Sequence, residues 1–188
     1  MSSETTKLAA HGHEVAEIAT RIASELGLPA ETIDHLRFAG LLHDIGKLWI
    51  SPRILEKDGP LTHSEWTEVR KHPETGALML RAHGLDQEAD WVLAHHERPD
   101  GLGYPHGLMG GEIPLESRIL AIADAWSAMR SDRPYSGPVE REDARDELQS
   151  LKGEQFDPVL VDVFLDSVEP ELQARMESSE SDVMAARD

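Results

Sequence analysis

The stretch of the sequence with the clearest chemical potential is residues 41–47, where an apolar run ends on His43 and Asp44 and continues to Gly46 and Lys47. Imidazole and carboxylate ligands together suit divalent Fe, Mn or Zn, and the two oxygens of one carboxylate can face two ions. Lys47 would then supply a fixed positive charge beside the metal. The alternative is that His43 hydrogen-bonds within a helical core and Asp44 caps the next element, so a metal site needs support from other residues.

Two further histidines stand where they could provide that support. His11 lies one helical turn before Val15, on an apolar stripe, so its ring is either packed in the core or turned inward to a ligand. His72 precedes Pro73, which disfavours the α conformation for the residue before it, and we expect this ring to be aimed from a helix junction. Neither histidine alone distinguishes a metal ligand from a structural side chain.

A second dense cluster begins at His95 and His96, which end an apolar segment and precede a loop with two glycines and two prolines. This pattern is typical of ligands at the mouth of a site under a semi-rigid loop, although a solvated histidine pair in a surface turn shares it. Asp124 interrupts an otherwise apolar helix. Because an unpaired buried carboxylate is costly, we expect Asp124 to have a functional partner.

Composition limits the possible functions. The 188 residues suffice for one domain, or for one domain with a tail. The absence of cysteine excludes disulfides and thiolate metal sites, so carboxylates and the ten histidines would have to hold any metal. The net charge of −18 argues against a general DNA or RNA binder but is compatible with a small anionic ligand held through metal ions. Without a leader or an apolar run near ~20 residues, we expect a soluble, cytoplasmic protein with no membrane segment.

The apolar periodicity predicts a chain that is helical nearly throughout, with no strands. Thr62 should cap a helix, with Glu65 as its capping-box partner. We expect one domain over residues 1–177, followed by a disordered acidic tail over residues 178–188. The expected helices cover residues 6–26, 31–43, 63–71, 89–94, 117–129, 140–151 and 158–176.

In order and spacing, these motifs resemble the HD-GYP branch of the HD-domain phosphohydrolases over about residues 8–165. The resemblance implies an all-α HD-domain helical bundle with extra C-terminal helices and a GYP loop over a metal site. It also implies a metal-dependent phosphodiesterase that hydrolyses cyclic di-GMP, mainly to linear pGpG, through a hydroxide activated by two metal ions, Fe or Mn. The motifs that carry it are His11, His43-Asp44 with Lys47, His72-Pro73, the HHERPDGLGYP string at residues 95–105, Asp124 and the SDRPY string at residues 131–135.

Carried over residue by residue, the resemblance implies two metals that share Asp44 as a bridge. The implied ligands of one metal are His11, His43, Asp44 and Asp124, and those of the other are Asp44, His72, His95 and His96. The implied catalytic residues are Asp44 and Lys47, the lysine adding positive charge beside the scissile phosphate. The implied substrate-binding residues are Gly103, Tyr104, Pro105 and Arg133. The Arg133 guanidinium can grip a phosphate or a guanine edge, and the Tyr104 ring can stack or donate a hydrogen bond.

Four positions depart from the family pattern. Glu14 stands where arginine is frequent and Ser127 where aspartate is frequent, and neither is assigned as a ligand. Ser136 replaces a basic residue, which removes a phosphate contact. Lys7, one turn before His11, replaces a glutamate that binds a third ion in three-metal members of the family. Because an ammonium has no lone pair for a metal, we expect two ions here, and with them the linear product.

Two other functions compete with a cyclic di-GMP phosphodiesterase. One is a catalytically slow module that senses the dinucleotide or docks on signalling proteins, which Ser136 favours. The other is a phosphohydrolase of another nucleotide, because HD-type metal sites act on many phosphate esters. No receiver, sensor or cyclase segment precedes residue 1, so we expect a protein that acts alone or one part of a longer chain. The sequence predicts no particular oligomeric state.

Overall fold

The computed structural model describes residues 3–131, 139–175 and 178. Within these residues the chain forms helices and no β-strand, which confirms the predicted all-α fold. The α-helices are α1 (Ser3–Glu25), α2 (Ala30–Leu42), α3 (Pro52–Leu55), α4 (His63–Val69), α5 (His72–Ala82), α6 (Asp86–Leu93), α7 (Leu115–Arg130), α8 (Arg141–Ser150) and α9 (Pro158–Val163). Two 3-10 helices span Ile45–Trp49 and Gly110–Glu112, and a π-helical turn, Phe164–Val168, continues α9 into helical residues 169–175.

Four predictions fall partly or wholly outside the described residues. Arg133 and Ser136 lie there, as does the predicted tail after Ser178. Lys7 belongs to α1, but its side chain is likewise outside the description. None of the helices in the described part of the chain is long and apolar enough to cross a bilayer.

Helices α1 and α2 approach each other closely at two glycines. A Cβ at Gly12 would lie 2.7 Å from a carbonyl oxygen of α2, and one at Gly40 would lie 2.7 Å from Cα of Ala16. A side chain at either position would force the two helices apart, because packed interiors leave no room for the displacement. The close contact brings the ring of His11 on α1 to 5.2 Å, centroid to centroid, from the ring of His43 after α2.

Helix α7 carries Asp124 into the centre of the fold. Ile119, Leu120 and Ile122 on this helix are fully buried, and burying one such side chain contributes about 1.5–3 kcal/mol. The helix packs mainly on α1, whose predicted apolar stripe is also buried, and more lightly on α6, α8 and α9. A carboxylate on α7 is therefore held rigidly at the centre of the bundle.

The 3-10 helix after Asp44 packs against the first turn of α5. A Cβ at Gly46 would lie 2.0 Å from the carbonyl oxygen of His72, so this position tolerates only glycine. The contact places Asp44, two residues before Gly46, beside His72. Gly46 therefore has a structural role, because its missing side chain allows the contact that brings Asp44 and His72 together.

The start of α4 follows the prediction, but the start of α5 does not. The Thr62 hydroxyl accepts from the backbone N–H of Glu65 (3.3 Å), and the Glu65 carboxylate accepts from the N–H of Thr62 (2.7 Å), which confirms the capping box. His72 is the first residue of α5. The predicted helix junction is confirmed, because α4 ends at Val69 and α5 begins at His72. The expected bias of His72 away from the α conformation is wrong, since Pro73 lies in the first helical turn, where its missing N–H would have no intrahelical partner.

Candidate metal centre

Three histidines each follow the last turn of a helix and donate a hydrogen bond from Nδ1 to a carbonyl of that turn. Such carbonyls lack a partner within the helix, so the ring satisfies them. Because a carbonyl oxygen only accepts, Nδ1 must carry the proton, and in the neutral ring Nε2 keeps its lone pair. The contacts are His43 to Gly40 (2.8 Å), His72 to Val69 (2.7 Å) and His95 to Val92 (2.5 Å).

These Nε2 atoms, and one carboxylate oxygen, are buried without a hydrogen-bond partner among the described residues. They are Nε2 of His43, His72 and His95 and Oδ1 of Asp44. Each unsatisfied buried polar atom costs about 1–3 kcal/mol, so four in one place are unusual. Nitrogen and oxygen lone pairs clustered in this way fit divalent transition-metal ions, which would satisfy these atoms.

Seven side chains form three overlapping groups of donors, and within each group the donor atoms lie within 4.8 Å of one another. Asp44 belongs to two of the groups, an arrangement that suits a bridging carboxylate. The groups are Asp44, His72, His95 and His96; His11, His43 and Asp44; and His43, His95 and Asp124. The structure thus brings together all seven residues that the sequence suggested as metal ligands.

His11 is oriented by two residues that the sequence analysis left without a role. Nε2 of His11 lies 2.9 Å from Oδ1 of Asp124, and Nδ1 lies 2.9 Å from Oγ of Ser127. The Ser127 hydroxyl donates its proton to Oε2 of Glu14 (2.7 Å), so Oγ accepts from Nδ1–H of His11. These hydrogen bonds place a proton on Nδ1 of His11, so that in the neutral ring the lone pair of Nε2, on the side of Asp124, is available to a metal.

Opposing charges hold the carboxylates of the centre ionised. Burial raises the pKa of Asp44, but Lys47, whose Nζ lies 2.5 Å from Oδ2, and His43 outweigh burial and hold that pKa well below its usual range. Burial lowers the pKa of His43, yet Asp44 and Asp124 together raise it to about 10. The same carboxylates that retain a proton on His43 would favour a divalent cation in that place.

The pKa values of His95 and His96 are lowered, whereas the pKa of His43 is raised. Burial lowers the pKa of His95 well below its usual range, with the charge of His96 adding to the effect. Burial likewise lowers the pKa of His96 to about 4. Both rings are therefore neutral near pH 7, which is the state in which imidazole binds a metal.

A cavity of about 530 Å³ opens beside the candidate centre. His95, His96 and Asp124 lie along it, as do Gly103 and Tyr104 of the predicted substrate loop. The Tyr104 ring stacks on His96 at 4.8 Å between centroids, and burial raises the pKa of Tyr104, so the phenol stays protonated. A cavity of this size is typical of small-molecule sites.

Some other predicted site residues are not among the described residues that line the cavity. Pro105 follows Tyr104 through a cis peptide bond and is not among the described residues that line the cavity. Lys47 does not line it either and instead contacts Asp44. Arg133 falls outside the described residues.

Glu97 anchors the loop that carries Tyr104. Its carboxylate is buried and accepts from the backbone N–H groups of His106 (2.6 Å) and Leu108 (3.0 Å). A Cβ at Gly103 would lie 2.5 Å from Cα of Glu97, so the loop packs directly on the residue that ties it. Glu97 was not predicted to have a role, although a carboxylate next to two histidines and before a glycine-rich loop was an available signal.

Comparison with known proteins agrees with this fold. A protein-family model described as the HD domain matches residues 1–160. The chain is 41% identical over 170 residues to a cyclic di-GMP phosphodiesterase of Thermotoga maritima, covering 88% of this chain and 46% of that protein. It is 38% identical over 169 residues to 3'3'-cGAMP-specific phosphodiesterase 2 of Vibrio cholerae, covering 88% of this chain and 32% of that protein.

A solved structure supports the fold independently. Bd1817, an HDG"Y"P protein from Bdellovibrio bacteriovorus, superposes with a TM-score of 0.70 at 19% identity, covering 90% of this chain and 55% of that one. The chain spans less than half the length of the two curated relatives described above. The family match over most of the chain, together with the gathered histidines and aspartates, shows that this chain belongs to the HD domain family and confirms its likeness to the HD-GYP branch.

Proposed function

We propose that this chain is a metal-dependent phosphodiesterase that hydrolyses cyclic di-GMP to linear pGpG. The observation that carries the proposal is the set of buried Nε2 and carboxylate atoms that have no hydrogen-bond partner in the described part of the chain and lie beside a cavity of about 530 Å³. Relatives named as cyclic di-GMP and 3'3'-cGAMP phosphodiesterases support the substrate class.

The donor groups suit two Fe or Mn ions that share Asp44. One ion would be held by His11, His43 and Asp44 together with Asp124, which lies 2.9 Å from His11 and 3.7 Å from His43, and the other by Asp44, His72, His95 and His96. Bound divalent ions would supply Lewis acidity towards a phosphodiester and lower the pKa of a water molecule. The choice of two ions rests on Lys7 in place of a glutamate, and the linear product rests on that number.

The protein's own residues would hold and neutralise the reacting diester. Lys47 places an ammonium beside Asp44, where it would offset the negative charge that develops on the phosphate oxygens. Tyr104 keeps its proton and could therefore donate a hydrogen bond to the ligand, with Gly103 and Pro105 shaping the loop around it. Arg133 remains a proposed contact to the ligand.

Turnover by freshly purified protein loaded with Mn or Fe tests the proposal. We expect cyclic di-GMP to be converted to pGpG, and the Asp44→Ala variant to lose both metal and activity, because that residue would bridge the ions and keep their mutual repulsion tolerable. The matched control is Asp34→Ala, an exposed aspartate on α2. Full activity of Asp44→Ala, or no turnover by the metal-loaded wild type, would contradict the proposal.

A second substrate is tested in the same assay. Because a 38% identical relative is named as specific for 3'3'-cGAMP, this nucleotide is the direct competitor of cyclic di-GMP. We expect a higher kcat/KM for cyclic di-GMP. A higher value for 3'3'-cGAMP would reassign the substrate while leaving the reaction class unchanged.

A further inference from the structure

Helix α4 and the residue that follows it contribute an aromatic and a cationic side chain to the cavity wall, and neither side chain is a candidate metal ligand. Trp66 and Arg70 both line the cavity. They are four residues apart at the end of α4, so they lie one turn apart on the same helical face. The Arg70 guanidinium carbon sits 5.3 Å from the centroid of the Tyr104 ring.

Successive contacts between side chains connect Arg70 to two candidate metal ligands, His96 and His95. Arg70 lies over Tyr104, Tyr104 stacks on His96, and the ring centroids of His96 and His95 are 4.0 Å apart. A guanidinium over an aromatic ring keeps its N–H edges available for a planar acceptor. Arg70 is therefore positioned by Tyr104, which itself stacks on His96.

Among the described residues, two arginines line the cavity, and they differ in their partners. Arg98 forms a two-pronged ion pair with Asp100, with Nε 3.0 Å from one carboxylate oxygen and the terminal nitrogen 2.5 Å from the other. No carboxylate among the described residues lies within ion-pair distance of Arg70. A forked guanidinium that faces a cavity and has no carboxylate partner among the described residues suits an anionic ligand, and phosphate matches its geometry.

Trp66 offers an apolar face to the same ligand. Its side chain remains 47% exposed although it lines the cavity, so a large ring is left in contact with water. A flat base stacked on it would remove that apolar surface from water, and such stacking does not depend on the identity of the base.

We infer that Trp66 and Arg70 form a subsite for the part of a cyclic dinucleotide that is remote from the metals, with Trp66 stacking on a base and Arg70 binding the phosphodiester that is not cleaved. The inference rests on the proposed function for its ligand class. A cyclic dinucleotide has two phosphodiesters, and the metal centre engages one of them. The second phosphodiester and a base must then meet another wall of the cavity.

The test measures kcat and KM for cyclic di-GMP and for methyl p-nitrophenyl phosphate, a diester with no base and no second phosphate. We expect Trp66→Ala and Arg70→Ala each to raise KM for cyclic di-GMP by about tenfold, in line with the usual worth of a stacked base or a charge-assisted hydrogen bond. Metal content and turnover of methyl p-nitrophenyl phosphate should not change.

Matched variants separate this role from a structural one. Trp66→Phe should retain the wild-type KM because it keeps an aromatic face, whereas Trp66→Leu should behave like Trp66→Ala although it keeps apolar bulk. The controls are Trp49→Ala and Arg53→Ala, which remove an exposed tryptophan and an exposed arginine that do not line the cavity. Both controls should keep the wild-type KM.

The possible results distinguish a failure of the proposed subsite from a failure of the proposed function. If Trp66→Ala and Arg70→Ala keep the wild-type KM, the subsite is wrong. If the wild type shows no turnover, the dissociation constant of cyclic di-GMP from metal-loaded protein, measured by calorimetry, replaces KM. Weaker binding by both variants would then support the subsite while the proposed reaction fails, and a wild type that neither cleaves nor binds the dinucleotide would overturn both.

Discussion

At the scale of single residues, the orientation of His11 depends on a hydroxyl one turn after Asp124. Ser127 is fully buried, and its oxygen lies between Nδ1 of His11 and the Glu14 carboxylate. Hydrogen bonds to the far nitrogen of a ligating histidine fix its tautomer and its ring angle. Two of the four departures from the family pattern, Glu14 and Ser127, therefore contact each other and orient the same proposed ligand, His11.

We expect Ser127→Ala to weaken metal affinity by about tenfold to a hundredfold, because His11 loses the acceptor that fixes its tautomer. Titration of the metal-free protein with Mn²⁺, followed by calorimetry, measures this change. Ser127→Thr should restore most of the affinity, since it keeps the hydroxyl. The control is Ser24→Ala, an exposed serine on the same helix as His11. Wild-type affinity in Ser127→Ala would contradict the role.

At the scale of elements, the loop over the cavity is held by one carboxylate. Glu97 accepts from two backbone N–H groups, those of His106 and Leu108. We expect Glu97→Gln to release the loop, because an amide has one acceptor oxygen and would direct its NH₂ group at the second N–H. Hydrogen exchange at residues 106 and 108 should accelerate by about tenfold or more, corresponding to the loss of at least one such bond.

The matched control for the loop is Glu25→Gln, an exposed glutamate at the end of α1, which should leave exchange in the loop unchanged. Unchanged protection of both amides in Glu97→Gln would show that contacts such as the packing of Gly103 hold the loop without the carboxylate.

A second contact between elements makes stability depend on pH. His35 on α2 and the buried Glu88 on α6 lie 2.6 Å apart, and this hydrogen bond raises the pKa of His35 above 6.5. A raised pKa in the folded state means that the pair stabilises the fold fully below the unfolded value of 6.5. That contribution is lost as the pH rises through the folded pKa.

We therefore expect His35→Gln to lower the free energy of unfolding more near pH 6 than near pH 9. Urea unfolding at the two pH values, each compared with the wild type, measures the difference. His83→Gln, at an exposed histidine on the end of α5, should show no such dependence. An equal effect of His35→Gln at both pH values would mean that the pair does not titrate as its contact indicates.

The sequence predicted elements better than the contacts between them. The 3.6-residue repeat of apolar side chains gave α1, α2 and α7 to within a few residues, because a helix that packs on one side must repeat at that period. The contact of His11 with Asp124 joins residues 113 positions apart, and no periodicity contains it. The candidate site was predicted from the order of its motifs and the resemblance they carry.

The parts that the sequence did not predict share one property. The Ser127 to Glu14 bond and the two bonds to Glu97 each join a side chain to a distant partner. Arg70 over Tyr104 is of the same kind. Such pairs follow from the packing of α1 on α7 and from the path of one loop, and these are decided by the whole core rather than by local pattern.

At the scale of the whole molecule, the candidate centre connects elements from most of the chain. α1 contributes His11, α2 leads to His43 and Asp44, α5 begins with His72, and α7 carries Asp124. Without metal, these donors leave several buried polar atoms unsatisfied at the centre of one core. Bound ions would satisfy the donors in the folded state only, since the unfolded chain does not hold them together, so metal binding should stabilise the fold as a whole.

We expect removal of metal by a chelator to lower Tm by about 5–10 °C, the shift for a protein of this size when a ligand at about a hundred times its Kd contributes about 2.7 kcal/mol. Thermal scans of metal-loaded and chelated wild type measure it, and adding Mn²⁺ back should restore the higher Tm. Asp44→Ala should have the same Tm with and without chelator, because it no longer holds the ions, whereas Asp34→Ala should respond as the wild type does. A wild-type Tm that does not change on chelation, in protein shown to have contained metal, would mean that the ions do not link these helices, and the buried Nε2 atoms would need another partner.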